Sequence, residues 1–289
     1  MSILVKSDIP VLVQGITGKE GTFHAQKMLG YGTRIVAGVT PGKGGDWVLD
    51  EKIPVFDTVR TAIEATGVEA SVIFVPADRA ADAMFEAIDA GLQHIFCVTE
   101  GIPMQDMMRV KRYLATSDTQ LVGPNSPGLL SPGKVKLGII PGEIAIPGNI
   151  GVISRSGTLT YEIVNEIRKA GGGISTCIGI GGDPILGMGF DKILEMFEDD
   201  PETEKILMVG EIGGRFEEDA VKYISQHVTK PTYAFIVGKS APEGRRMGHA
   251  GAIIEKRAGS AAYKIDLIKN AGIRLASSIE EIPALLLKS

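Results

Sequence analysis

Two short stretches of this chain carry residues suited to phosphate chemistry. In Gly248-His249-Ala250-Gly251-Ala252 an imidazole stands among residues with almost no side chain. A group as large as a phosphoryl can approach such a ring, and backbone N–H groups can reach the phosphoryl in turn. In Gly15-Ile16-Thr17-Gly18-Lys19-Glu20-Gly21 the glycines allow close backbone approach, and the helix opening there offers unpaired N–H groups to an anion. A lone histidine in a glycine-rich loop is more often structural than reactive, so its company has to decide. Glu211, in Gly210-Glu211-Ile212-Gly213-Gly214, follows a strand-like run. As a carboxylate it can hold one imidazole nitrogen and leave the other nucleophilic, and a solvated loop glutamate is the alternative. Ser154-Arg155-Ser156-Gly157-Thr158 sets hydroxyls at a helix start, which serves equally as a plain N-cap or as an anion site.

Positioning these groups requires strands that end where they begin. Up to about residue 125 the sequence alternates strand and helix: strands at Val11 to Gln14, Ile35 to Val39, Ser71 to Val75, His94 to Thr99 and Gln120 to Val122, with helices between them. This predicts a doubly wound β/α domain over residues 1–125. Residues 126–149, rich in proline and glycine and without helical period, read as a linker. A second alternation over 150–289 predicts another parallel-sheet domain, which carries both Glu211 and His249. The N-terminus, Met1 to Lys6, reads as a strand-like start with too short an apolar stretch for a signal peptide.

Composition excludes several classes. With 44% hydrophobic and 22% charged residues and no long apolar run, the chain reads as a soluble cytoplasmic protein, or a matrix protein if from a mitochondrion, with no membrane partner. A net charge of −5 without basic blocks argues against nucleic acid. Cys97 and Cys177 sit in apolar runs and read as buried thiols, and no His/Cys pair has metal-ligand spacing, so no metal site is expected on the chain. The first turn is not spaced GxGxxG, and after the second strand Lys43 stands where a ribose-binding acid belongs. Both features point away from a nicotinamide dinucleotide and towards a more anionic nucleotide.

The sequence resembles the α subunit of succinyl-CoA synthetase (succinate–CoA ligase) over nearly its whole length. The segments carrying the resemblance are VQGITGKEGTFH (Val13 to His24), YGTRIVAGVTPGKGG (Tyr31 to Gly45), TEGIP (Thr99 to Pro103), SRSGTLTYE (Ser154 to Glu162), GIGGDP (Gly179 to Pro184), GEIGG (Gly210 to Gly214) and RRMGHAGAII (Arg245 to Ile254). The resemblance implies an N-terminal Rossmann-like domain that binds coenzyme A and a C-terminal flavodoxin-like domain carrying a phosphohistidine. It implies contacts to coenzyme A from Thr17, Gly18, Lys19, Glu20, Lys43, Val98, Thr99 and Glu100. His249 would be the phosphorylated residue with Glu211 its partner, Ser156 and Gly157 would receive the phosphoryl group, and Tyr161 would bind substrate. An ATP-grasp β subunit would bind ATP or GTP with Mg²⁺, in an αβ or (αβ)₂ assembly, and a dicarboxylate would be the acid.

Two departures bear on that expectation. Gly123-Pro124-Asn125-Ser126-Pro127-Gly128 has a serine where the family usually has a cysteine beside the acid and thioester. Ser126 is either neutral variation or the mark of a hydroxylated acid, which keeps malate–CoA ligase and the citryl-CoA synthetase small subunit open. The stretch Gly45 to Pro54 is also longer than the family's version. A non-catalytic CoA-binding or CoA-sensing protein is the competing class, though it has no use for His249, Glu211 and a helix-end anion site together.

Overall fold

A computed structural model describes residues 3–254 and 259–288. The chain divides into two compact units, the first comprising Met1–Leu129, Lys134–Ile140 and Ile185–Gly187, the second Leu130–Gly133, Pro141–Pro184 and Met188–Ser289.

In the first unit, strands β1 (Val11–Gln14), β2 (Ile35–Val39), β3 (Trp47–Val48), β4 (Ile53–Phe56), β5 (Ala70–Ile73), β6 (His94–Cys97) and β7 (Gln120–Val122) form one sheet in the order β3-β4-β2-β1-β5-β6-β7. Only the short β3 runs antiparallel, against β4. β1 and β5 are buried at every position, as expected of central parallel strands with both faces covered. Helices α1 (Lys19–Tyr31), α2 (Val59–Thr66), α3 (Ala77–Asp89) and α4 (Met104–Leu114) lie between the strands in sequence. On α3 the buried residues Ala80, Met84, Ala87 and Ile88 recur at helical spacing, the stripe that faces a core. Counted along the chain, the six parallel strands stand in the order 3-2-1-4-5-6, the Rossmann arrangement. The order reverses between β1 and β5, and the crevice beyond their carboxyl ends is where such sheets take ligands.

One expectation needs correction. Residues 3–5 form bends rather than a strand, and Met1 and Ser2 lie outside the described residues. The apolar run Ile3-Leu4-Val5 ends at Lys6-Ser7-Asp8, too short to pair, and Leu4 and Val5 are buried by packing instead. The proline- and glycine-rich stretch 126–149 holds β8 (Gly128–Ser131), β9 (Val135–Gly138) and a 3₁₀ turn at Gly142–Ile144. β9 is stitched to the end of α1, where the Thr33 hydroxyl donates to the Lys136 carbonyl at 2.7 Å.

The second unit is built on β10 (Pro147–Ser154), β11 (Ile174–Gly179), β12 (Lys205–Glu211), β13 (Thr232–Val237) and β14 (Arg274–Leu275), parallel and ordered β14-β13-β12-β10-β11. Along the chain this is 2-1-3-4-5 read from the other edge, the flavodoxin-like order, with its reversal between β10 and β12. Helices α5 (Gly157–Lys169), α6 (Phe190–Asp199), α7 (Phe216–His227), α8 (Ala261–Asn270) and α9 (Glu281–Leu287) complete it. On α6, Phe190, Ile193, Leu194 and Phe197 supply the buried face. Cys97 and Cys177 are both buried and make no disulfide, and burial pushes the Cys177 thiol well up. No helix among the described residues is long and apolar enough to cross a membrane.

Candidate functional site

At the reversal point of the second sheet, β10 and β12 end side by side. β12 terminates in Glu211, and its carboxylate meets His249: Oε2 lies 2.8 Å from the imidazole Nδ1. The loop that presents His249 is pinned at both sides. The Gly244 and Met247 N–H groups donate to the carbonyls of Ile254 and Ala252, and the Gly251 N–H donates to the Gly182 carbonyl at 3.0 Å. Gly182 is also where the ring packs. A Cβ there would stand 2.3 Å from His249 Cγ, so only glycine leaves room for the imidazole. His249 keeps a quarter of its side chain exposed while Glu211 is buried. With the proton on Nδ1, held by a carboxylate, Nε2 carries the nucleophilic lone pair.

β10 leads directly into the N-terminus of α5. Ser156 is the N-cap, accepting the Leu159 N–H at 3.4 Å, and its own N–H donates to the Ser154 hydroxyl at 3.0 Å. Gly157 is the first helical residue, so the second unit brings His249, Glu211, Ser156 and Gly157 to one sheet edge. Tyr161, one turn further along α5, has a buried hydroxyl without a hydrogen-bond partner, and burial raises its pKa.

Glu211 has further company that the sequence reading did not single out. Arg155, 1% exposed, reaches its second oxygen, with Nη2 3.2 Å from Oε1. Glu217 and Lys264 complete a buried cluster behind it. Burial pushes the Glu217 carboxyl up, but Arg155 and Lys264 overcome that and hold it below the usual carboxylate range. These residues lie far apart in sequence, and charged positions on helices ordinarily read as solvated faces. No local signal marks them.

In the first unit the reversal point carries the other candidate residues. Thr17 and Gly18 form the turn after β1, and Lys19 and Glu20 open α1. A Cβ on Gly21 would fall 2.1 Å from the Gly15 carbonyl oxygen, so the turn folds this tightly only with glycine. Glu20, Val98 and Thr99 line a cleft of about 390 Å³ together with His24, Phe74, Val75, Pro76 and Ile139. His24 stacks on Phe74 with ring centroids 5.4 Å apart; burial, then Lys136, depress its pKa against Glu20. Thr17 donates to the Thr40 hydroxyl at 3.1 Å, which joins the first turn to the Lys43 loop. That loop is held by Asp57, whose Oδ1 accepts the Gly42 and Gly44 N–H groups at 2.7 and 2.9 Å. Asn125 and Ser126 donate backbone N–H groups to the carbonyls of Thr99 and Cys97, so both lie beside Val98 and Thr99. Lys43 and Glu100 are exposed outside the cleft lining.

Family models match both units, one described as a CoA binding domain over residues 6–101, the other as CoA-ligase over 153–280. The succinate–CoA ligase [ADP-forming] subunit alpha of Aquifex aeolicus is 54% identical over 100% of this chain and 95% of its own length. The chain belongs to the succinate–CoA ligase α-subunit family. Within that family of CoA ligases, a malate–CoA ligase subunit alpha from Methylorubrum extorquens is equally similar, 54% identical over 96% of this chain and 94% of its own. The ATP citrate lyase of Methanothrix soehngenii, solved in complex with citrate and coenzyme A, shares the fold at a TM-score of 0.88 and 24% identity. It covers 99% of this succinate–CoA ligase family member, which spans about half (51%) of the lyase chain.

Proposed function

We propose that this α subunit works with an ATP-grasp β subunit to make succinyl-CoA reversibly from succinate, coenzyme A and ATP or GTP, through a phosphohistidine at His249 and an acyl phosphate. The observation that carries the reading is the Glu211 to His249 Nδ1 contact of 2.8 Å beside the α5 N-terminus. Nε2 attacks the terminal phosphorus of the nucleotide, the bond from phosphorus to the bridging oxygen breaks, and the nucleoside diphosphate leaves with that electron pair. Glu211 keeps the Nδ1 proton and offsets the positive charge that grows on the ring. Ser156 and Gly157 supply a hydroxyl and a helix-end N–H to the phosphoryl oxygens. A carboxylate oxygen of the acid then takes the phosphoryl group, and the P–N bond breaks to return the electron pair to Nε2. Phosphate is a far better leaving group than oxide, so the acyl carbon becomes open to the thiolate of coenzyme A, which displaces phosphate.

Residues 150–289 are proposed as the phosphohistidine domain and 1–125 as the CoA-binding domain, joined through 126–149. In the first unit we assign coenzyme A to the crevice at β1 and β5, with Thr17, Gly18, Lys19, Glu20, Val98, Thr99 and Glu100 around it and Lys43 at its phosphates. The apolar wall of Phe74, Pro76 and Ile139 and the close approach at Gly21 fit a long ligand with an anionic end. Asn125 and Ser126 are assigned to the acid and thioester end, and in the second unit Tyr161, with its unpartnered hydroxyl, to substrate. Mg²⁺ would accompany the nucleotide on the β subunit, in a cytoplasmic αβ or (αβ)₂ complex.

Malate is the second reading, favoured by the equal identity to a malate–CoA ligase subunit. Against it, Ser126 is buried and its Oγ already accepts the Gly128 N–H at 2.9 Å, which gives the hydroxyl a role inside its own loop. The test is thioester formation by the chain co-expressed with its β partner, with succinate, malate and citrate compared. Saturating turnover of succinate supports the reading. Preference for malate or citrate replaces the acid, and binding of coenzyme A without turnover of any acid returns the chain to a binding role.

A further inference from the structure

The buried charges behind Glu211 form a frame around it. The Glu211 N–H donates to Glu217 Oε1 at 3.0 Å, and the Glu211 carbonyl accepts from Lys264 Nζ at 2.9 Å. Lys264 also donates to the Gly213 carbonyl at 2.6 Å and to Glu217 Oε2. Arg155 Nη1 donates to the same Gly213 carbonyl at 3.1 Å and to Glu217 Oε1 at 3.3 Å, while Nη2 makes an ion pair with Glu211 Oε1 at 3.2 Å, outside hydrogen-bond geometry. The Arg155 guanidinium lies 5.0 Å from the Phe216 ring centroid, and its backbone N–H donates to Val209 at 3.1 Å. Three elements thus converge on one residue: Arg155 from the β10–α5 turn, Glu217 from α7 and Lys264 from α8.

We propose that Arg155, braced by Glu217 and Lys264, is a positioning residue for phosphoryl transfer: it occupies one oxygen of Glu211 so that the other is fixed on His249 Nδ1. The proposal rests on the phosphohistidine reading. Within the frame two cations, Arg155 and Lys264, balance two carboxylates, Glu211 and Glu217. An extra unit of negative charge beside the imidazole would hold its proton to higher pH and remove the nucleophile. Other charged groups face this region. Glu218 stands beside Lys264 and pairs with Arg215 at 3.1 Å, Lys239 shares a cleft of about 380 Å³ with Glu211, and Asp183 adjoins the Gly182 turn under the ring. Arg155 also immediately precedes the Ser156 cap, so one residue spans the carboxylate and the anion-facing helix end.

The experiment follows transfer of ³²P from labelled nucleotide to the α chain in the complex with its β partner, across pH, for the unaltered protein, Arg155→Gln, Arg155→Lys and His249→Asn. Arg155→Gln is expected to lower the transfer rate at least about tenfold and to move the acid limb of the profile up by about one pH unit. Arg155→Lys keeps the charge but loses the fork, so it should lose rate with the acid limb in place. KM for acid and coenzyme A should stay within about twofold in both. A purely structural role lowers the active fraction without moving the limb, so an unmoved limb in Arg155→Gln overturns the proposal. Should Arg155→Gln not assemble, Arg155→Lys decides: a rate within about twofold of the unaltered complex overturns it. Label retained by His249→Asn would instead overturn the phosphohistidine reading, whatever Arg155 does.

Discussion

At the scale of the residue, the proposed site rests on one imidazole and on what is missing beside it. His249→Asn is expected to abolish covalent phosphorylation while coenzyme A still binds, as separate labelling and equilibrium-binding assays would report. Glu211→Gln leaves a neutral partner on Nδ1 and should slow transfer by about 10²–10⁴-fold, the range found when a general acid–base contact is lost. Gly182→Ala would set a methyl 2.3 Å from His249 Cγ and turn the ring away from Glu211. A loss of about 100-fold in phosphorylation, with normal assembly on a sizing column, is the expected outcome. Lys43→Ala should weaken coenzyme A about tenfold, roughly the worth of one exposed charge on a phosphate, and leave labelling of His249 intact.

At the scale of the element, strand ends and helix starts do the positioning, and most of them were legible. α6 was legible as part of the second alternation because Phe190, Ile193, Leu194 and Phe197 recur at helical spacing. β3 and β4 were missed: β3 is two residues long, and β4 contains Pro54, which argues against a strand. His249 and Glu211 were legible because small residues and a post-strand carboxylate are local signals. Arg155, Glu217 and Lys264 were not, since Glu217 sits in Phe216-Glu217-Glu218-Asp219, where acids at a helix start look like dipole complements. Their burial exists only once α7 and α8 lie on the sheet. Lys264→Met strands the Glu217 carboxylate without its ammonium and is expected to cost about 3–5 kcal/mol, measurable by urea denaturation of the purified complex.

At the scale of the whole molecule, the chain holds two sheets, each with its own reversal point. Their stabilities should respond to acid differently. In the first unit burial depresses the pKa of both His24 and His94, so the folded state binds fewer protons than the unfolded chain. The stability this neutrality represents is complete above the ordinary histidine value of about 6.5 and is lost as pH falls below it towards the depressed values. The melting temperature should therefore drop between about pH 7 and 5, and His24→Gln should flatten that drop, as a calorimetric pH series would show.

The β3–β4 hairpin has an optical consequence. Trp47 is the chain's single tryptophan, and more than half of its surface faces solvent. The Asp46 N–H donates to the Lys43 carbonyl at 3.1 Å, so the indole is one residue removed from the loop that carries Lys43. Emission excited beyond tyrosine absorption comes from this point alone. Titrating coenzyme A against that emission follows events at the first sheet without interference from the second, and stopped-flow traces of Trp47 set beside quench-flow labelling of His249 would place capture and phosphorylation in temporal order.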